Sequence, residues 1–153
     1  ARVYDWKKAV NLHGVKPGLR YRYIEPAGKI DSTVFQLPET ASGTTDQLTN
    51  ALKKRADRFA LEFTGYLRVP KDGMYRFYTL SDDGSLLNID GELVVDNSGD
   101  HGELEKEGKV LLRKGYHALR VRYYDSGGGN SLKVMMQAEG GEKTTISPAQ
   151  LAH

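Results

Sequence analysis

The chain has 153 residues, 39% of them hydrophobic and 27% charged, which suits one folded domain with its own core and leaves no room for a second. Its formal net charge is only +2, with Lys and Arg interleaved among Asp and Glu, so the one-sided basic face of a nucleic-acid binder is absent, and no apolar run approaches the roughly 18 residues of a membrane span. Cysteine is absent, which excludes disulfides, thiolate zinc sites and cysteine nucleophiles.

The opening Ala1 to Trp6 is too polar for a signal peptide. The expectation is a domain belonging to a longer protein. Residues 1–45 read as irregular, with turn residues at Pro17-Gly18, Pro26, Gly28 and Pro38 and a Ser-Gly-Thr-Thr run at 42–45. Within them Leu19 to Ile24 alternates and predicts a strand. Residues 46–57 predict a short helix, with Asp46 as its cap and Leu48, Ala51, Leu52 and Ala56 at helical spacing. Lys53-Lys54-Arg55 reads as a solvated face of that helix.

From residue 59 the pattern is strand after strand. Phe59 to Val69 alternates, and Pro70-Lys71-Asp72-Gly73 is a turn. Met74 to Leu80 is an aromatic-rich strand, and Leu86 to Ile89 and Leu93 to Val95 flank the hairpin signal Asp90-Gly91. Val110 to Leu112, the turn Lys114-Gly115, His117 to Tyr123 and Leu132 to Met136 complete the series. The tail from Ile146 to Leu151 is extended and is expected to pack near the first strand. The fold class predicted is all-β, an antiparallel β-sandwich or β-barrel with one short helix.

If the strands from 74 to 137 form an antiparallel meander, alternate connections share one edge. That edge receives three loops rich in Asp, Asn, Ser and Gly: residues 81–85, 97–102 and 125–131. Asp82, Asp83, Asn97, Asp100, His101, Asp125 and Asn130 then converge, where rigid sheets commonly position function. Several carboxylates together suit a hard cation such as calcium, which takes six to eight oxygen ligands. In an extended strand Asp82 and Asp83 would point to opposite faces, so both reach one ion only if the backbone bends sharply between them. Asp and Gly also dominate ordinary turns. Spacing alone leaves Asp82-Asp83-Gly84-Ser85 open between a turn and a cation site.

An EF-hand starting at Asp96 is excluded, because His101 stands where the hand needs Gly and strands flank the loop. Neither a Gly-x-Ser-x-Gly elbow nor a His-Glu-x-x-His motif is present. His101 is expected to bond neighbouring backbone. His117 is expected to be structural, and Tyr75, Phe77, Tyr78, Tyr123 and Tyr124 to be core or sheet-face aromatics.

The residues also carry a resemblance. Pro17-Gly18-Leu19-Arg20-Tyr21-Arg22-Tyr23, then Phe63-Thr64-Gly65-Tyr66-Leu67 with Pro70, Gly73, Tyr75 and Phe77, then Ser81-Asp82-Asp83-Gly84-Ser85 with Leu87, Ile89-Asp90-Gly91 and Val95-Asp96-Asn97, resemble successive motifs of the PA-14 (protective-antigen) domain. Lys114-Gly115-Tyr116-His117, Tyr123-Tyr124, the triple glycine at 127–129 and the close at 146–151 continue it in order. The resemblance implies a β-sandwich over 17–153, preceded by an N-terminal extension over 1–16. It is nearest to copies attached to bacterial secreted glycoside hydrolases.

In the family's sugar-binding adhesins two adjacent aspartates joined by a cis peptide hold calcium, which coordinates vicinal sugar hydroxyls. The resemblance places Asp82 and Asp83 in that role and Asn130 as the third ligand. Ser131 and His101 complete the expected carbohydrate-contacting set. The function implied is a non-catalytic, calcium-assisted carbohydrate-binding module of a larger extracellular, cell-surface or periplasmic protein. Its partners would be a glycan and a covalently linked catalytic domain. The alternative is an accessory domain that packs on a catalytic domain and shapes its entrance without binding free glycan.

Overall fold

A computed structural model describes residues 3–153. The strands are β1 (Trp6–Lys7), β2 (Leu19–Ile24), β3 (Ala41–Thr45), β4 (Phe59–Val69), β5 (Gly73–Asp82), β6 (Gly84–Ile89), β7 (Glu92–Asn97), β8 (Leu104–Leu112), β9 (Gly115–Asp125), β10 (Ser131–Ala138), β11 (Thr144–Thr145) and β12 (Leu151–Ala152). They form two sheets. The first runs β1-β8-β5-β10-β11 and the second β3-β2-β4-β9-β6-β7, with β12 beside β4. Among the named strand pairs, β1–β8 is parallel and the others are antiparallel.

Strict alternation explains why these segments become strands with one buried face. In β9, His117, Leu119, Val121, Tyr123 and Asp125 are all buried. Leu119, Val121 and Tyr123 meet Phe77, Val110, Leu112, Val134 and Met136 from the other sheet in one core. A smaller cluster of Ile24, Ile30, Val34, Phe35, Ala60 and Tyr124 covers one end of the second sheet from outside. Ile146 and Leu151 of the tail are buried. The Gly18 N–H donates to Leu151 O at 3.2 Å, which docks the tail beside β2 as expected.

Two expectations are corrected. Residues 46–57 form no helix; they run as turns and bends, with Lys53 N–H to Asn50 O at 3.1 Å as a single turn bond. Thr45 Oγ1 and Thr49 Oγ1 accept from the N–H groups of Gln47 and Ala51. Such local side-chain bonds compete with the helical ladder, while Leu48 is buried in the core. Short 3-10 turns occur instead at Val34–Gln36 and Pro148–Gln150.

The strands from 74 to 137 are also not a meander. The chain passes from the first sheet in β5 to the second in β6 and β7, back in β8, across in β9 and back in β10. The edge inference rested on the meander and loses that ground, yet the same three loops still meet at one edge, because each connection reverses direction. Register therefore brings Asp82 beside Ser131, Gly84 beside Tyr124, Ser85 beside Asn97 and Ser81 beside Leu104.

Candidate functional site

The link from β5 to β6 is where the chain changes sheet, and it does so across a cis peptide bond between Asp82 and Asp83. Carboxylate oxygens of both residues come together at the same edge. Gly84 follows because nothing larger fits: a Cβ there would lie 2.3 Å from the Tyr124 ring.

Asp83 organises the edge. Its Oδ1 accepts from the His101 N–H at 3.0 Å, and its Oδ2 accepts from the Ser126 N–H at 2.9 Å and the Ser126 hydroxyl at 3.1 Å. One carboxylate thus joins the 97–102 and 125–131 loops to the β5–β6 link. Asp125, at the end of β9, is fully buried; its Oδ2 accepts from the Arg58 N–H at 3.0 Å, and its Oδ1 has no hydrogen-bond donor among the described residues, only the neighbouring carboxyl of Asp83. Oxygens of Asp82, Asp83 and Asp125 lie within 4.8 Å of one another.

A polar layer supports the cluster from below. Ser81 Oγ donates to Asp83 O at 2.8 Å, and Ser85 Oγ lies 2.7 Å from Ser81 Oγ and 2.9 Å from Thr79 Oγ1. Asn97 Nδ2 donates to Leu104 O at 2.8 Å and to Thr79 O at 3.2 Å. The Tyr123 hydroxyl donates to Asp82 O at 2.7 Å. These bonds fix both backbone carbonyls of the aspartate pair.

The electrostatics are those of crowded acids. Burial pushes the Asp125 carboxyl up to about 6 against the opposing Arg58 N–H, with Asp83 and Asp82 adding to the rise. Asp82 is also raised, first by burial and then by the Asp83 charge. Among the described residues no Lys or Arg side chain pairs with any of the three. An all-oxygen cluster of this kind can share a proton or receive a hard cation.

The other expected residues fall nearby with different attachments. Asn130 Oδ1 accepts from Asn50 Nδ2 at 2.7 Å and Lys53 Nζ at 2.9 Å, and its Nδ2 donates to Ala56 O at 2.6 Å. It thus staples the 50–56 segment to the Gly-rich loop. Ser131 starts β10 opposite Asp82 and donates to Glu103 at 3.1 Å. The His101 ring nitrogens face Gly102 O at 2.8 Å and Asn97 O at 2.9 Å, the backbone bonding expected of it. Asp100 is exposed, and Asn97 lies beneath the cluster, 1% exposed. Reasoning from sequence placed Asp125 at this edge without making it a ligand candidate. The signal was present, since Asp125 continues the inward alternation of His117, Leu119, Val121 and Tyr123.

Known proteins share this architecture. The chain is 26% identical over 148 residues to the anti-sigma-I factor RsgI3 of Acetivibrio thermocellus, covering 91% of this chain and 22% of that protein. It is 30% identical over 94 residues to a beta-hexosaminidase of Porphyromonas gingivalis, covering 57% of this chain and 12% of that protein. The chain therefore spans a minor part of the curated relatives it matches. A PA14 sugar-binding domain from an RTX adhesin superposes with a TM-score of 0.76 at 18% identity, covering 90% of this chain and 98% of that one, which shows a shared fold. The family model described as the PA14 domain matches residues 15–149, and the chain belongs to that family.

Proposed function

We propose that this domain is a non-catalytic carbohydrate-binding module whose site is a calcium ion held by Asp82, Asp83 and Asp125. The observation that carries the reading is the buried Asp125 oxygen without a hydrogen-bond donor among the described residues, in a cluster whose oxygens lie within 4.8 Å of one another. A buried carboxylate left in that state is costly unless a cation or proton compensates it. The all-oxygen donor set fits calcium. When bound, calcium supplies open coordination positions for a pair of sugar hydroxyls.

The chain's own residues hold and orient. Asp83 fixes the flanking loops, and Tyr123 and Ser81 fix the aspartate carbonyls. Asn130 would join the cation only by giving up its bonds to Asn50 and Lys53. Ser131 and His101 flank the mouth. The adhesin domain of like fold, described as sugar-binding, supports the glycan reading. The partial span of the larger relatives supports a module of a longer extracellular or cell-surface protein, a glycoside hydrolase among the candidates.

The accessory-domain reading has one observation in its favour. Trp6 is 42% exposed beside the strand edge, with the Arg113 guanidinium 4.1 Å over its ring. A glycan array read in calcium and in chelator, for wild type and Asp82→Ala, decides between them. Binding lost with chelator and in the variant is expected. Binding retained in the variant overturns the calcium assignment. A calcium-loaded domain that binds no glycan favours the accessory reading.

A further inference from the structure

The outer face of the second sheet divides in two. Toward the loop edge it is covered by Ile30, Val34 and Phe35. Farther from that edge it is bare and carries a groove of about 570 Å³ lined by Arg20, Thr64, Tyr66, Asn88, Arg120 and His153 among others. That volume lies within the range of small-molecule sites. Register sets Arg20, Thr64, Arg120 and Asn88 in one row across β2, β4, β9 and β6. The next row holds Arg22, Glu62 and Arg122. All point outward, because the alternate residues of β9 fill the core.

Positive charge in these rows is undercompensated. Among the described residues no Asp or Glu side chain lines the groove. Glu62, 6% exposed, is shared by Arg22 at 2.8 Å and by Arg120, whose Nε and Nη2 lie 2.7 and 2.6 Å from Oε2, and Arg22 also pairs with Glu39 at 3.2 Å, so two carboxylates face four arginines. Arg20 has no acceptor among the described residues. Arg122 gives one nitrogen to Asn88 Oδ1 at 2.9 Å while its buried Nε has no acceptor among the described residues. Burial and then the Arg120 charge hold the Arg122 guanidinium below its usual range. Thr64 Oγ1, between Arg20 and Arg120, and Asn88 Nδ2, beyond Arg120 at the end of the row, have no partner among the described residues. The row thus alternates forked cations with neutral polar groups, the pattern of a ligand that alternates carboxylates with hydroxyls. Guanidinium forks match carboxylates in two-point geometry.

We propose that this groove is a second site, one that takes a carboxylate-bearing saccharide, with Arg20 and Arg120 on the carboxylates and Thr64 and Asn88 on the hydroxyls. It is independent of the cation reading. Arg120 and Asp125 are five residues apart on β9, about 16 Å at the usual rise, and face opposite sides of the sheet.

The test is calorimetric titration in chelator with tetragalacturonate, its fully methyl-esterified form and a glutamate tetrapeptide. Tetragalacturonate is expected to bind, more weakly as salt rises, and to lose about tenfold or more in affinity in Arg20→Gln. Arg20 is exposed and unpaired, so that variant folds. Arg120→Lys keeps a charge beside Glu62 but loses the fork, and is expected to weaken binding as well. Absence of tetragalacturonate binding overturns the proposal, as does equal affinity for the neutral ester or an unchanged Arg20→Gln. Equal affinity for the peptide overturns the saccharide part. Asp82→Ala separates the two sites: it should leave this binding intact.

Discussion

Asp83 Oδ2 accepts the backbone N–H of Ser126 at 2.9 Å, while Oδ1 of the same carboxylate accepts the His101 N–H at 3.0 Å. One side chain, 6% exposed, therefore holds two loops that approach from different strands. Removing it leaves two part-buried backbone donors without their acceptor. Asp83→Ala is expected to cost about 2 kcal/mol or more in urea unfolding, given about 1–3 kcal/mol for each buried group left unsatisfied. Hydrogen exchange at the Ser126 and His101 amides should rise by more than at Val121. Unchanged exchange at both would show that the loops are held elsewhere.

Asp125→Asn separates the cation reading from ordinary packing. The change is nearly isosteric and removes one of three charges within 4.8 Å. In chelator the variant should be as stable as the wild type or more so, because like charges no longer face each other in a buried site. In calcium the order should reverse. The wild type gains stability by mass action, about 2.7 kcal/mol at a hundredfold excess over Kd, and the variant gains little. Equal calcium responses in the two proteins would remove Asp125 from the ligand set.

The His117–Asp90 pair gives the domain a pH dependence away from the loops. His117 is fully buried, with Nδ1 2.7 Å from Asp90 Oδ2 and Nε2 2.7 Å from Arg113 O. Burial pulls the imidazole down, but the Asp90 hydrogen bond, the Arg113 carbonyl and the Asp90 charge together hold it above its ordinary value. A histidine raised on folding contributes stability that is fully present below its unfolded value near 6.5, and this is lost as pH rises through the folded value. Unfolding free energy is therefore expected to fall across that window. Asp90→Asn, which still suits the φ of +51° at this turn, should flatten the slope. A slope unchanged in the variant would assign it to other groups.

How much of this was legible depends on which side chains announce their surroundings. β4 runs Phe59–Val69, the span its alternation predicts, because one face is core throughout. β3 was read as irregular, since Ser42, Gly43 and Thr44 at an exposed sheet edge carry no apolar alternation. The first part of β8 was missed for the same reason: Glu105, Lys106 and Glu107 are exposed, and only from Val110 does burial resume. The 46–57 segment misled because Leu48 and Leu52 keep helical spacing while packing as single loop anchors. At the site, Asp82 and Asp83 were legible as adjacent acids in a loop. The staple from Asn130 to Asn50 spans 80 residues, and no local pattern encodes such a contact.

Gly84→Ala tests how tightly the aspartate pair is seated. A Cβ at this position would lie 2.3 Å from Tyr124 Cζ and 2.4 Å from its hydroxyl oxygen. The ring cannot retreat freely, since it packs in a buried cluster with Phe35 at 6.4 Å between centroids and its hydroxyl accepts the Gly99 N–H at 2.6 Å. The added methyl must therefore displace either the ring or the β6 backbone that follows Asp83. Overpacking of this sort costs about 1–3 kcal/mol, and calcium affinity should fall with it, because Asp83 is joined directly to that backbone. Tyr124→Leu combined with Gly84→Ala supplies the discriminating measurement. Removing the ring opens the space the methyl needs, so the double variant should be more stable than the two single losses summed. Strict additivity would mean that Gly84 is required for its backbone rather than for the room it leaves.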